Sequence, residues 1–233
     1  STADWPPGGS PDAMCGFAGA CWTDPGHAID AATLDAMTRV LTHRGPDQSG
    51  SWFDPHTALG HRRLSIIDLD SGRQPLANED GSVQVVFNGE IYNYRELRDE
   101  LQGRGHRFTT QTDTEVIVHL YEEHGDGCLD HLRGMFALAV WDVRRRRLLL
   151  ARDRMGQKPL VYRDEPGRLL FASELKALLQ VPGAPRELDP VSLDEFLTYQ
   201  YVPHPRTMLE GYRKLPPAHK AVYQDGRLKL ERY

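Results

Sequence analysis

The chain is short of three things: long apolar runs, cysteines and excess positive charge. No apolar run in its 233 residues approaches the roughly 18 residues of a membrane-spanning helix, so we expect no membrane association. The net charge of −5 at pH 7 argues against a basic surface for nucleic acid. The cysteines, Cys15, Cys21 and Cys128, are odd in number and lack framework spacing. They indicate reduced thiols and hence a cytoplasmic protein.

Two kinds of ligand-binding motif are also missing. His119 and His124 lie five residues apart, off one helical face, and there is no His-Glu-x-x-His pattern. We therefore expect no metal site, and Cys21 and Cys128 are expected to be core thiols. No Gly-rich phosphate loop occurs either, so no cofactor is expected in this chain.

What the sequence does contain is a cysteine directly after a methionine, Met14-Cys15. Removal of the methionine would leave a thiol and a free α-amine on one residue, so that a nucleophile and its base lie together. A buried structural cysteine at the start of a strand is the alternative. Residues 1–13 are rich in Pro and Gly and read as a disordered extension, leader or tag. We expect residues 15–233 to form one domain, with residues 1–14 outside it.

Apolar periodicity and capping residues predict mostly strands, with helices in groups. Helices are predicted from Asp30 to residue 42, from Asn93 to 104, from a capping box at 112–115 to 124, from Ser173 to before 182, and from Asp189 to 201. Strands are predicted at 15–22, 65–69, 83–88, 135–142, 148–153, 160–163, 168–172, 220–224 and 228–232. Residues 43–56 are predicted to be turns, and the arginines at 144–147 a hairpin turn. The pattern favours an α+β fold with antiparallel strands.

Nine short motifs occur in a specific order. They are residues 14–16 (MCG), 43–47 (HRGPD), 61–68 (HRRLSIID), 74–76 (QPL), 87–93 (FNGEIYN), 112–115 (TDTE), 134–137 (GMFA), 152–160 (RDRMGQKPL) and 171–176 (FASELK). In this order the chain from Cys15 onward resembles the N-terminal glutaminase domain of glutamine-hydrolysing asparagine synthetases. That group belongs to the class II glutamine amidotransferases, which are N-terminal-nucleophile hydrolases. The resemblance implies a four-layer αββα sandwich of two antiparallel sheets.

The resemblance also implies a set of catalytic residues. Cys15 would attack the side-chain amide of L-glutamine, with its own α-amine as base. Asn88, through its side chain, and Gly89, through its N–H, would bind the oxyanion, although Asn-Gly alone is typical of a turn. His43 would order a loop over the site, and residues 152–158 would be structural.

A second set would bind the substrate. Arg63 would pair with the α-carboxylate, Asp113 with the α-ammonium, and Glu90 would line the pocket. Without the motifs, Arg63 reads as a solvated charge at a strand end and Asp113 as a helix first-turn acid. Leu64, Ile66 and Ile67 complete the pocket that the resemblance implies.

The implied activity is glutamine hydrolysis that supplies ammonia to a C-terminal, ATP-dependent synthetase domain. ATP and Mg²⁺ would belong to that domain, which this chain lacks. Two alternatives stay open: a relative that amidates another carboxylate acceptor, and a non-catalytic scaffold domain. Family members are often homodimers, so a homodimer is left open too.

Overall fold

Two six-stranded antiparallel sheets form the middle of the molecule. The computed structural model describes residues 14–64 and 72–233, so the strand predicted at 65–69 lies outside the described residues. The strand orders are β10-β8-β9-β1-β3-β2 and β12-β11-β7-β6-β5-β4. The strands are β1 Gly16–Trp22, β2 Gln48–Asp54, β3 Thr57–Arg63, β4 Leu76–Ala77, β5 Val83–Ile91, β6 Gly134–Asp142, β7 Arg147–Arg152, β8 Val161–Glu165, β9 Arg168–Ala172, β10 Arg213–Lys214, β11 His219–Gln224 and β12 Arg227–Arg232.

Helices cover the outer face of each sheet. They are α1 Ala31–Arg39, α2 Tyr94–Gly103, α3 Glu115–His124, α4 Cys128–His131 and α5 Leu175–Leu178. One further helix, α6 Pro190–Tyr199, keeps most of its apolar side chains exposed. None of the helices within the described residues is long and apolar enough to cross a membrane.

The alternation of side chains along β1 shows how the layers are built. Phe17 and Cys21 belong to the apolar core between the sheets, together with Val86 of β5. Ala18 and Ala20 point the other way and pack against α1. Glycine and alanine on that face let the helix approach the sheet closely.

The second sheet repeats the arrangement. Val85 and Phe87 of β5 pack outward against Val116 and Ile117 of α3, whereas Val86 packs inward. The order of layers is therefore helices, sheet, sheet, helices. The predicted α+β class and the four-layer αββα sandwich are confirmed.

The turns predicted at 43–56 are wrong for residues 48–54, which form β2, and β3 at 57–63 was not predicted. Strand β2 lies at a sheet edge, and its side chains alternate between half-buried and exposed. Its sequence, QSGSWFD, is rich in small polar residues and hides that alternation. Strand β3 ends in His61-Arg62-Arg63, of which His61 and Arg63 are buried. Charged side chains inside a strand give no apolar signal.

The capping box predicted at 112–115 does not form, and Asn93 does not cap α2 through its side chain. The Asn93 side chain instead donates to the backbone oxygen of His131 and accepts from the Arg133 N–H, both at 3.0 Å. Helix α3 begins at Glu115, whose carboxylate accepts the N–H groups of Thr109 and Thr110, each at 2.7 Å. Tertiary contacts outcompete the local caps.

Several other predictions from local sequence are confirmed. The Asp30 and Asp189 side chains cap α1 and α6 as predicted. Ser173 does not start a helix: its Oγ accepts the Phe17 N–H at 3.0 Å, and α5 spans only Leu175–Leu178. Both predicted hairpin turns are confirmed.

The hairpin between β11 and β12 turns at Asp225 and Gly226, whose φ angles are 50° and 74°. Positive φ at both turn residues matches the twist of the flanking strands, and Asp-Gly tolerates it.

The loop 153–158 is organised by one buried carboxylate. Asp153 Oδ1 accepts the N–H groups of Met155 and Gln157, and Oδ2 accepts those of Phe136 and Lys158, at 3.0–3.1 Å. The preceding Arg152 donates to three backbone oxygens of the same region. These contacts fit the structural role predicted for this motif.

We expect Asp153→Ala to lower the free energy of unfolding by at least about 3 kcal/mol, because it leaves buried N–H donors without an acceptor. Urea denaturation measures this. Asp164→Ala, which removes an exposed carboxylate of β8, is the matched control and should change stability little. Equal stability of the two variants would contradict the role given to Asp153.

Candidate active site

Cys15 lies directly before β1, at a half-buried position. Its Sγ accepts the Leu64 N–H at 3.4 Å, and its backbone oxygen accepts Arg44 Nε at 3.1 Å. Burial raises the pKa of the thiol; the Leu64 N–H and the positive charges of Arg63 and Arg44 act in the opposite direction, whereas Asp113 adds to the rise. The thiol therefore lies between charges of both signs.

Arg44 is held in place by the carboxylate of Glu174. Its Nη1 donates to Glu174 Oε1 at 2.8 Å, and His43 Nε2 lies 3.0 Å from the same oxygen. Burial acts to raise the pKa of Glu174, but hydrogen bonds from Arg44, His43 and Lys176 outweigh it and lower the pKa to about 2. His43 thus contacts Glu174, which agrees with an ordering role.

Asn88 and Gly89 lie within β5, opposite Ala137 and Phe136 of β6, so the turn expected from Asn-Gly is wrong. A Cβ on Gly89 would come within 2.1 Å of the Met135 backbone oxygen, which excludes any larger residue. Asn-Gly here permits close strand packing rather than a reversal of the chain.

The Gly89 N–H points away from β6. The N–H and C=O of Phe136, the residue opposite, are both bonded to Asp153, so this pair does not exchange hydrogen bonds. On the same edge of β5, the Phe87 N–H donates to Gln74 Oε1 at 2.6 Å and the Ile91 N–H to Asp113 Oδ2 at 2.8 Å. Along β5, the Gly89 N–H lies between the N–H groups of Phe87 and Ile91.

The Asn88 side chain is 1% exposed, and its Nδ2 has no hydrogen-bond partner among the described residues. A buried donor without an acceptor costs about 1–3 kcal/mol and demands an explanation. Asn88 shares the inward register of Val86, as Cys15 shares that of Phe17. Its unpaired amide is therefore directed into the space between the two sheets, which Cys15 also faces.

Asp113 and Arg63 are both buried, at 7% and 5% exposure. Burial raises the pKa of Asp113 to about 6, and the charge of Glu90 adds to the rise. Asp113 precedes α3 and binds β5, so it is not a first-turn helix acid. Arg63 Nη1 donates to Gln48 Oε1 at 3.1 Å, and Gly72 lies against its guanidinium. The alternative of a solvated charge at a strand end is wrong for Arg63.

The structure thus places Arg63, Leu64 and Asp113 around the Cys15 sulfur and Glu90 near Asp113, while Asn88 on β5 faces the space between the sheets. Ile66 and Ile67 lie outside the described residues, and their placement in the pocket stays a prediction.

Sequence reasoning assigned no site role to Arg44, Gln74 or Lys158. Gln74 binds β5 and Thr114, and Lys158 Nζ lies 2.6 Å from Met14 Sδ. Burial and the charge of Arg44 lower the pKa of Lys158. Arg44, Gln74 and Lys158 each lie in one of the nine motifs. Their membership of a motif is the signal in the sequence that could have identified them.

Comparison with known proteins agrees with this geometry. A family model described as a glutamine amidotransferase domain matches residues 14–233. Glutamine-hydrolyzing asparagine synthetase 3 of Bacillus subtilis (strain 168) is 40% identical over 225 residues, covering 94% of this chain and 36% of that protein. Amidase chry2 of Gibberella zeae is 40% identical over 179 residues, covering 71% of this chain and 26% of that protein. The chain therefore spans about a third of the length of the first relative and about a quarter of that of the second.

Among solved structures, glutamine phosphoribosylpyrophosphate amidotransferase from B. subtilis superposes with a TM-score of 0.66 at 20% identity. The match covers 94% of this chain and 49% of that one. At this identity it supports the fold alone.

The pKa of Cys15 predicts the pH dependence of its alkylation while Met14 is still attached. Because burial raises that pKa above the ordinary 9.0, the thiolate fraction should keep rising beyond pH 9, and the rate with it. Asp113→Asn removes a negative charge that raises this pKa, so alkylation at pH 8 should be faster. Mass spectrometry after timed exposure to iodoacetamide measures both.

Asp99→Asn, an exposed change on α2, should leave the rate as it is. Cys21 and Cys128 are buried with raised pKa values, to about 12 for Cys128, and should react only after unfolding. A rate that levels off below pH 8, or slows in Asp113→Asn, would contradict the electrostatic description.

Proposed function

The chain belongs to the glutamine amidotransferase domain family, and on this premise we propose that residues from Cys15 onward hydrolyse L-glutamine to glutamate and ammonia. The observation that carries the proposal is the unpartnered Asn88 amide, buried beside an outward-facing Gly89 N–H. Preorganised donors of this kind suit an oxygen that becomes negatively charged during reaction.

In the proposed reaction the Cys15 sulfur attacks the side-chain carbonyl carbon of glutamine. The thiol proton passes to the α-amine of Cys15, and the carbonyl oxygen becomes an oxyanion that accepts from Asn88 Nδ2 and the Gly89 N–H. The C–N bond then breaks, the amine returns the proton, and ammonia leaves. Water hydrolyses the remaining γ-glutamyl thioester to glutamate and restores the thiol.

The base in this scheme exists only where the chain begins at Cys15. With Met14 attached, the nitrogen of Cys15 is an amide and cannot take the proton. We therefore propose that the active form begins at Cys15.

Charges around the thiol fit the two ends of glutamine. The Arg63 guanidinium offers a planar pair of donors to the α-carboxylate. The Asp113 carboxylate, with Glu90 nearby, offers negative charge to the α-ammonium. Because both side chains are buried, their interactions with substrate are screened little by water.

We propose further that, in the longer protein, a C-terminal ATP-dependent domain takes up the ammonia, with aspartate as its acceptor. ATP and Mg²⁺ would be held by that domain. The relatives named asparagine synthetase support this acceptor, and their greater length supports a further domain. An exposed apolar surface on and around α6 fits such a partner; it consists of Leu188, Val191, Leu193, Phe196, Leu197, Tyr199 and Tyr201.

Another carboxylate acceptor is the second candidate, and the similarity to Amidase chry2 favours keeping it. A non-catalytic scaffold is the third, but it gives no reason for an unpaired donor beside an intact cysteine. We also propose a cytoplasmic location, because the three cysteines are unpaired. A homodimer would be an alternative way to cover the apolar surface of α6.

Asn88→Ala should lower kcat for glutamine hydrolysis by about 10²–10³-fold in the form that begins at Cys15, because one oxyanion donor is lost. Cys15→Ala should abolish turnover. Ammonia release at saturating glutamine measures both.

Asn78→Ala, which also removes a buried amide near β5 but on the outer face of the sheet, controls for a general loss of order. Turnover by Cys15→Ala, or an Asn88→Ala variant as active as the parent, would refute the proposed mechanism.

A further inference from the structure

Four potential metal ligands meet on the helical layer outside the β4–β5 sheet, on the opposite face of that sheet from the catalytic cysteine. Glu79 follows β4, His106 lies between α2 and α3, and His119 and Glu122 belong to α3. One ligand atom from each lies within 4.8 Å of all the others. Nothing in the proposed glutaminase reaction uses these residues.

The contacts between histidine nitrogens and carboxylate oxygens are near the edge length of a tetrahedral site, with Glu79 facing the two histidines through different oxygens and the widest pair of ligand atoms within 4.8 Å. His119 Nδ1 lies 3.4 Å from Glu79 Oε2 and 3.2 Å from Glu122 Oε2. His106 Nδ1 lies 3.6 Å from Glu79 Oε1 and 3.7 Å from the same Glu122 oxygen. Ligand atoms around a tetrahedral zinc ion are about 3.4 Å apart, because zinc–ligand bonds are about 2.0–2.2 Å long.

The far nitrogens of both histidines face further carboxylates. His106 Nε2 lies 3.1 Å from Glu123 Oε1, and His119 Nε2 lies 3.9 Å from Glu115 Oε1. In metal sites the second ring nitrogen of a histidine ligand commonly donates to a carboxylate, which fixes the tautomer. His106 is therefore oriented with Nδ1 toward the cluster and Nε2 toward an acceptor, whereas His119 Nε2 lies beyond hydrogen-bond distance of Glu115.

The carboxylates of the cluster are held in place as well. Asn78 Nδ2 donates to Glu122 Oε1 at 2.7 Å, and the Arg107 N–H donates to Glu79 Oε1 at 2.9 Å. Glu122 thus keeps its other oxygen for the centre of the cluster. Such support is what preorganises ligand atoms before an ion arrives.

An ion-pair cluster without metal is the competing explanation. In such a cluster two protonated rings only 4.8 Å apart would repel each other, although each ring also has carboxylates around it. A single divalent ion satisfies both Nδ1 atoms and both carboxylates without charging either ring.

We propose that Glu79, His106, His119 and Glu122 bind one zinc ion. Two imidazoles and two carboxylates suit a borderline transition metal better than Mg²⁺ or Ca²⁺, which prefer oxygen alone. With four protein ligands the site is closed, so its role is structural. The ion ties the loop after β4 and the α2–α3 connection to helix α3. This departs from the sequence expectation of no metal, which tested His119 against His124 and not against His106.

The test uses the whole chain, stripped with a chelator and dialysed, and titrated with ZnCl₂ in a calorimeter. We expect one Zn²⁺ per chain, a rise in Tm on binding, and no binding of Mg²⁺. Glu79→Gln and His106→Asn, at partly exposed positions that should tolerate change, should each weaken binding at least about tenfold, since losing even an outer-shell partner typically costs that much. Glu100→Gln on α2 is the control carboxylate and should bind as the parent does.

Cys15→Ala should keep the stoichiometry, which separates this site from any zinc held by the catalytic thiol and from the fate of the proposed glutaminase activity. Replacement of zinc by Co²⁺ should give the visible absorption typical of a tetrahedral site. The proposal is overturned if the chain binds no zinc, if Glu79→Gln and His106→Asn bind it as tightly as Glu100→Gln, or if Cys15→Ala loses it.

Discussion

Strand β5 is longer than β4, its neighbour at the sheet edge, and the candidate site depends on this difference in length. Strand β4 pairs only through Leu76 and Ala77, opposite Val85 and Gln84. Beyond that point, backbone N–H groups of β5 face outward and need acceptors that are not strand partners. A side chain, Gln74, serves Phe87, and a carboxylate, Asp113, serves Ile91. The Gly89 donor lies between them, and we propose that it binds the oxyanion.

The same edge explains why Asp113 is both buried and close to the thiol. Asp113 is desolvated where it binds the Ile91 N–H, and this burial raises the pKa of its carboxyl to about 6. The cost is offset in part by that hydrogen bond and by the backbone N–H of Thr114. Arg63 and Arg44 act on Cys15 in the opposite sense to Asp113, so the pocket presents separated charges of both signs around the sulfur. An amino acid with two charged ends is the kind of ligand that such a pocket fits.

The sequence predicted the fold class and most of the elements, because strands such as β1 and β6 are continuous apolar runs that are buried on both faces. The prediction failed where side chains make tertiary contacts instead of the local contacts that their sequence position allows. Thr112 and Asn93 could cap helices but make other contacts, and β3 carries buried His61 and Arg63 that look like surface residues. The Asn88-Gly89 turn failed for a similar reason: close packing of β6 against Gly89 determines the local backbone. Capping at Asp30 and Asp189 succeeded because these carboxylates accept the N–H groups of their own helices.

Site residues could be predicted only through the order of the motifs. No local pattern shows that Arg63 is buried or that Asn88 Nδ2 lacks a partner, since both facts arise from the packing of distant strands. The His106–His119 pair escaped notice because its members come from different segments. Spacing rules within one helix cannot find ligands that a loop and a helix supply together.

The measurement that tests the central claim most directly is the intact mass of the form beginning at Cys15 after exposure to an electrophilic glutamine analogue. A single adduct, located on Cys15 and prevented by excess L-glutamine, is the predicted result. No adduct on that form, or an adduct that glutamine does not prevent, would contradict the assignment of Cys15 as the nucleophile of a glutamine-binding site.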